Sequence, residues 1–181
     1  MYKKKGDKIL YAECWNNNGI LFEHLGIIGD KGETIKSKCK NERKAYKSFI
    51  KKYMAQGYNE IKHEEMFWIV LQWPMDENCG NLLKLKDIVV GTLNEELGWR
   101  GLGEIDGYDI GEQIRPDKYK KEVLNIFCYV VDISTAVKII LFALNGRVNC
   151  TALKIATRSN IENSEYALYF SKDKISTKFY I

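Results

Sequence analysis

The sequence predicts an α+β protein with two domains, residues 1–63 and 64–181. In the first domain, segments of strand type precede one amphipathic helix. In the second, strand and helix patterns follow in the order βαββαβ, which is the order of a ferredoxin-like sandwich. Charge changes near the same boundary: residues 1–64 hold 14 basic and 8 acidic side chains, whereas residues 65–181 hold 14 and 16. Two domains with different surfaces would give this pattern.

Three strands are predicted at the start of the first domain. The first covers residues 8–15, and the Asn-Asn-Asn-Gly sequence at 16–19 predicts a hairpin turn, because Asn and Gly tolerate a positive φ. Residues 20–28 form the return strand. The glycine-containing turn at 29–32 leads to a third strand over residues 33–40, whose lysines fall on one face by period two.

A helix over residues 41–56 completes the first domain. Asn41 is a good N-cap, and Ala45, Phe49 and Tyr53 recur at helical spacing. These apolar residues are expected to cover the sheet, and the lysines between them to face solvent.

Three glycines, Gly26, Gly29 and Gly32, separate the strand that carries Trp15 from the lysine-rich helix. With these elements in this order, residues 8–62 resemble the WGR domain, a module of DNA-dependent poly(ADP-ribose) polymerases and of bacterial proteins. The resemblance implies an antiparallel sheet with one covering helix.

The signature of that family reads Trp-Gly-Arg-x-Gly. Here Leu25 stands in place of the tryptophan and Ile27 in place of the arginine. The resemblance implies contact with the end of a DNA break, but Leu25 offers no π-face for stacking and Ile27 no charge for phosphate. The turn formed by Leu25, Gly26, Ile27, Gly29 and Gly32 is therefore expected to act as a scaffold, with glycines kept for backbone freedom.

Basic side chains on the third strand and on the helix form a candidate nucleic-acid site. A solvated helix face explains them equally simply. If six of them contacted duplex phosphates, log K would fall with log salt at a slope of roughly −5, as for sequence-independent binding. The candidate residues are Lys36, Lys38, Lys40, Arg43, Lys44, Lys47 and Lys51.

The second domain is predicted from a change in the pattern of apolar residues along the chain. Strands are expected at 66–73, 122–131 and 151–157, helices at 81–97 and 134–144, an extended glycine-rich segment at 98–111, and edge strands at 165–170 and 178–181.

Acidic residues concentrate in the extended segment, at Glu104, Asp106 and Asp109. A hairpin strand with a turn or bulge at Asp106 is one interpretation, an interaction surface for a basic partner is a second, and a calcium site is a third. Trp99 and Arg100 precede them in a loop, where they are candidates for an exposed anchor that a protein partner would contact.

Several classes of protein are not expected. The apolar runs are too short to span a bilayer and no signal peptide is evident, which predicts a cytoplasmic protein. No catalytic, cofactor or metal motif is found, so we expect neither an enzyme nor a bound cofactor or metal. Free thiols are expected at all five cysteines, because their number is odd and none forms a Cys-x-x-Cys pair: Cys14, Cys39, Cys79, Cys128 and Cys150.

Overall fold

The chain forms two compact units. The first contains Met1–Lys62 together with Trp99–Gly101, and the second contains His63–Gly98 and Leu102–Ile181. A three-residue segment that is distant in sequence therefore belongs to the first unit. The computed structural model describes residues 1–75, 81–113, 121–159, 164–172 and 178–181.

A four-stranded antiparallel sheet and one helix make up the first unit, and the strands lie side by side in chain order. The hairpin predicted at 16–19 is confirmed. Asn18 and Gly19 have φ values of 51° and 78°, as the tight turns that suit a twisted hairpin require. The elements are β1 (Tyr2–Lys5), β2 (Lys8–Asn17), β3 (Ile20–Ile27), β4 (Glu33–Lys38) and α1 (Glu42–Met54).

Strand β1 is absent from the sequence prediction, which began the sheet at residue 8. The segment is mostly lysine and shows no apolar periodicity. It is held as a strand by long-range partners: Tyr2 pairs with Tyr11 of β2, and the backbones of Tyr2 and Asn59 exchange hydrogen bonds of 2.7 and 2.8 Å.

Helix α1 covers one face of this sheet. Its N-cap is Asn41, as predicted, whose Oδ1 accepts a hydrogen bond from the backbone N–H of Lys44 at 2.9 Å. Burying one large apolar side chain contributes about 1.5–3 kcal/mol, so this small core holds the helix on the sheet. Its buried residues are Ala12, Cys14, Leu21, Phe49 and Tyr53.

The second unit is a five-stranded antiparallel sheet with two helices, after a short helical turn at His63–Glu65. Its strands lie in the order β6-β7-β5-β8-β9. The order β8-β5-β7-β6 is that of the predicted ferredoxin-like sandwich, and β9 extends the sheet beyond β8. The elements are β5 (Phe67–Pro74), α2 (Leu82–Gly98), β6 (Gly103–Glu112), β7 (Glu122–Val130), α3 (Ile133–Leu144), β8 (Lys154–Ser159) and β9 (Ala167–Ser171).

The acidic segment forms strand β6, which pairs with β7 as one side of a hairpin. The register shifts between Ile105 and Gly107, so Asp106 is the extra residue of a bulge. The hairpin interpretation is therefore confirmed. The described residues 178–181, expected as an edge strand, form none.

No helix in the described part of the chain is long and apolar enough to cross a membrane. The described cysteines, Cys14, Cys39, Cys128 and Cys150, are free, and Cys79 lies outside the described residues. Within the described ranges no three His, Cys, Asp or Glu side chains are grouped so that they could hold a metal ion.

Candidate nucleic-acid interface

The sheet face of the first unit that α1 leaves uncovered, here called the open face, carries aromatic and basic side chains. Cross-strand pairs share a face. The register places Glu13 opposite His24, and Trp15 opposite Phe22, which is in turn opposite Lys36 of β4. All five side chains therefore lie on the face opposite the helix.

Three of these side chains form one continuous stack. The rings of Trp15 and Phe22 lie nearly parallel, 8° apart in plane and 5.2 Å between centroids. Nζ of Lys36 lies 5.2 Å from the Phe22 centroid, while Trp99 meets Trp15 edge to face at 5.8 Å. Trp15 and Phe22 are partly exposed and Trp99 is 41% exposed. The order Lys36-Phe22-Trp15-Trp99 is named the aromatic stack below.

A buried hydrogen-bonded group lies beside this stack. His24 is fully buried, with Nδ1 2.6 Å from Oε1 of Glu13 and Nε2 3.0 Å from the carbonyl oxygen of Lys31. The hydroxyl of Tyr11 lies 3.1 Å from the same Nε2 and can donate to the carbonyl of Trp99 at 3.2 Å. Burial raises the pKa of Tyr11 to about 12, so this hydroxyl is no nucleophile at neutral pH. The group holds the structure together.

Three glycines surround the ring of Tyr11. A Cβ at Gly26 would lie 2.7 Å from Cε1 of that ring, and a Cβ at Gly32 or Gly101 would also collide with Tyr11. Gly29 has φ 91°. Backbone freedom therefore explains only part of the predicted scaffold turn. Gly26 lies within β3 without a positive φ and is required for close packing against Tyr11. Gly29 and Gly32 have positive φ values, and Gly32 also packs against Tyr11.

Trp99 and Arg100, predicted as an exposed anchor for a protein partner, are packed within the first unit. The backbone N–H of Gly29 donates to the carbonyl of Arg100 at 3.0 Å, and Nη1 of Arg100 donates to the carbonyl of Gly29 at 2.9 Å. The ring of Trp99 packs edge to face on His24 at 5.0 Å. These contacts occupy Arg100 and part of the Trp99 ring within the chain itself.

The predicted basic residues divide into two groups. Lys36 and Lys38 lie on the open face, and Lys40 lies in the bend after β4. The others are on the outer side of α1, where they line an open pocket of about 540 Å³. That group consists of Arg43, Lys44, Lys47 and Lys51, with Asn41 and Ser48 between them. A single surface formed by all seven side chains is not present.

Leu25 and Ile27, the two positions that differ from the WGR signature, do not lie on the open face. Leu25 packs against the core beneath α1, and Ile27, partly buried, pairs with Leu10 of β2. By strand alternation both lie on the helix side of the sheet. The open face is therefore built from other residues.

Sequence reasoning missed Trp15 and Phe22 as site residues. Their signal was the hairpin register: a turn at Asn18 and Gly19 places position 15 opposite position 22. The sequence gives no signal for the role of His24, because its partners Glu13 and Lys31 lie on another strand and in a turn.

The acidic candidates lie in the second unit. Glu104 and Asp106 are exposed on β6, and Oε1 of Glu104 is 3.4 Å from Nε2 of His63. Asp109 instead accepts a hydrogen bond from Nδ2 of Asn125 at 2.8 Å. Two of the three, Glu104 and Asp109, therefore have partners within the second unit.

Comparison with protein-family models, with curated proteins and with solved structures finds no match to this chain. Function is accordingly inferred from the chemistry of the residues. On the open face of the first unit that chemistry is aromatic and cationic at adjacent positions.

Proposed function

We propose that the first unit is a WGR-like module that binds nucleic acid on its open face without sequence preference, favouring unpaired bases. The observation that carries this proposal is the aromatic stack, in which the flexible side chain of Lys36 lies over the partly exposed ring of Phe22. Aromatic rings beside cationic side chains are the usual means of binding a single strand.

Binding begins with displacement of Lys36 from Phe22. An exposed cation–π contact contributes about 0.5–1 kcal/mol, whereas a base stacked on an aromatic ring contributes about 1–3 kcal/mol. A base therefore replaces the ammonium group on Phe22. The displaced Nζ of Lys36, still on the same face, is then free to contact a phosphate.

Phosphate contacts from this face are few. Lys36 and Lys38 are neighbours on one face of β4, at the edge of the sheet. Two contacts with a single strand give a slope of log K against log salt of about −1.4. The α1 group would give a steeper slope, because four cations lie there together.

The test is fluorescence anisotropy with a labelled single strand and the matching duplex, over salt from about 50 to about 200 mM. Trp15→Leu and Phe22→Leu keep an apolar side chain but remove the ring, so affinity for the single strand should fall about tenfold each. Tyr46→Leu is the matched control, since Tyr46 is a 41% exposed aromatic residue on α1.

Charge reversal separates the two basic groups. The pair Lys36→Glu and Lys38→Glu should weaken binding and flatten the salt slope, while Lys44→Glu and Lys47→Glu change the net charge equally on α1. If only the α1 pair weakens binding, the open face is not the site. If neither pair does and the slope is zero, the proposal that the first unit binds nucleic acid is wrong.

A second candidate function is protein binding along β6. This strand lies at one edge of its sheet and exposes Glu104 and Asp106, and an edge strand can pair with an added strand. Reversal of both charges to lysine would release a basic partner. It would leave single-strand binding by the first unit unchanged.

A further inference from the structure

The second unit carries a cross-strand row that the first unit's proposed function does not use. Arg158 of β8 pairs with Trp68 of β5, Trp68 with Tyr129 of β7, and Tyr129 with Glu104 of β6. Residues paired in this way share one face. A guanidinium and a carboxylate therefore stand at the two ends of a row whose two central members are aromatic.

This row lies on the face opposite the helices. Trp73 alternates with Trp68 along β5, and its Nε1 donates to the carbonyl of Asn149, just after α3. By strand alternation the row is then on the other side of the sheet. Trp68 and Tyr129 are partly exposed there, and the side chain of Glu104 is 64% exposed.

The aromatic members are closely packed with one another. The rings of Trp68 and Tyr129 lie 4.1 Å apart, and Phe127, two residues before Tyr129 and on the same face, meets Trp68 edge to face at 6.0 Å. His63 lies 4.8 Å from Tyr129. Flat rings on two adjacent inner strands of this five-stranded antiparallel sheet, β5 and β7, provide platforms on which bases can stack.

Arg158 is held in place without using all of its donors. Its guanidinium lies 5.1 Å from the Trp68 ring and 4.6 Å from the Tyr166 ring. Its Nε is buried and has no hydrogen-bond partner among the residues that the structure describes. A buried donor left unsatisfied is costly, so an acceptor that reached this Nε would be stabilising.

We infer that this row, Glu104, Tyr129, Trp68 and Arg158, binds an unpaired nucleobase that carries both a carbonyl and an exocyclic amine. The base stacks on the rings, its carbonyl accepts from Arg158, and its amine donates to Glu104. Cytosine and guanine have both groups, whereas uracil lacks the amine. This site does not depend on the open face of the first unit.

Charge distinguishes the two sites. The row has one guanidinium and one carboxylate, with Asp106 close in sequence, so phosphate attraction contributes little. Binding here should show a salt slope near zero, in contrast to binding through Lys36 and Lys38. The probes are oligocytidine and oligouridine of about eight nucleotides, as RNA and as DNA.

The experiment uses the full chain with Lys36→Glu and Lys38→Glu, which remove phosphate binding by these two lysines of the first unit. Oligocytidine should bind with little salt dependence and at least about fivefold more tightly than oligouridine. Trp68→Leu and Arg158→Gln should each lower the affinity about tenfold. Phe142→Leu is the control, because Phe142 is a 75% exposed aromatic residue on α3.

Further variants keep the test independent of folding. Trp68→Phe preserves a ring and should retain most of the affinity if Trp68→Leu fails to fold. Glu104→Gln, at an exposed position, should abolish the preference for cytosine over uracil. Equal binding of both oligonucleotides, or no binding in this background, overturns the inference. A second contrary result is that an oligolysine peptide binds more tightly than oligocytidine and that Glu104→Gln abolishes this peptide binding. The row would then be a site for a cationic peptide.

Loss of the base preference with intact salt-dependent binding in the unmodified chain would refute this row alone. Loss of salt-dependent binding with the preference intact would refute only the first unit's site. The two proposals therefore fail separately.

Discussion

The ring of Tyr11 lies directly against the backbone of Gly26, where an alanine Cβ would be 2.7 Å from Cε1. The two residues lie on adjacent strands and pair in register. The ring cannot move aside easily, because its hydroxyl is held by His24 and by backbone carbonyls.

Gly26→Ala should therefore destabilise the first unit by about 1–3 kcal/mol, as overpacking does. Urea unfolding monitored by tryptophan fluorescence would measure it. Gly91→Ala is the contrasting control: Gly91 lies within α2 and its Cβ would meet nothing within 4 Å, so this change should stabilise by up to about 1 kcal/mol. If Gly26→Ala has the same free energy of unfolding as the unmodified protein, β2 and β3 can move apart to accommodate the new Cβ without loss of stability.

Tyr11 should also make the first unit sensitive to alkali. Its pKa is raised from about 10 to about 12, chiefly by burial and then by Glu13. A raised pKa means that the contribution of the neutral hydroxyl to stability is fully present below pH 10. This contribution, at most about 3 kcal/mol, is lost as the pH rises through 12. The free energy of unfolding should fall across that window.

Tyr11→Phe isolates this effect, because phenylalanine does not titrate. The variant should be less stable at neutral pH by about 0.5–1.5 kcal/mol from lost hydrogen bonds, with a smaller further loss between pH 10 and 12. Burial also raises the pKa of Cys14, to about 11, so both proteins will share a decline that starts near pH 9. Parallel curves for the two proteins up to pH 12 would contradict the role given to Tyr11.

Local patterns predicted much of this fold and little of its site. Asn18 and Gly19 specify a hairpin, and Asn41 starts a helix, because each acts on its own neighbours. β1 and the position of Trp99 depend instead on partners far along the chain, such as Asn59 for Tyr2 and Gly29 for Arg100. The periodicity of apolar residues along the chain does not predict such long-range contacts.

The candidate site shows the same limit. Lys36 and Lys38 were predicted to share a strand face, and the register with β3 places them so. To predict the aromatic stack, the hairpin register must also be used to infer that Trp15 lies opposite Phe22. Trp99 could not be placed at all, since a segment after α2 supplies it to the first unit.

The start of α3 provides a matched pair of variants. This helix was predicted to begin at residue 134, but Asp132 is the N-cap, and its Oδ1 accepts a hydrogen bond from the backbone N–H of Thr135 at 2.8 Å. Asp132→Ala should cost the second unit about 0.5–2 kcal/mol. Ser134→Ala, an exposed change inside the helix, should alter stability by less than about 0.5 kcal/mol. Equal effects in thermal unfolding would mean that Asp132 does not cap the helix.

Trp99 should separate stability from binding. Its ring contacts Trp15 and His24 at the end of the aromatic stack that is remote from Phe22 and Lys36. Trp99→Ala removes two edge-to-face contacts and should destabilise the first unit by about 1–2 kcal/mol.

The affinity of this variant for a single strand, measured where the variant is still folded, should fall less than that of Phe22→Leu, because the base is expected on the outer face of Phe22. Trp99→Phe, which keeps an aromatic edge, should recover part of the stability. If instead Trp99→Ala weakens binding as much as Phe22→Leu while its unfolding curve is unchanged, the base stacks at the Trp99 end and the direction of the proposed stack is reversed.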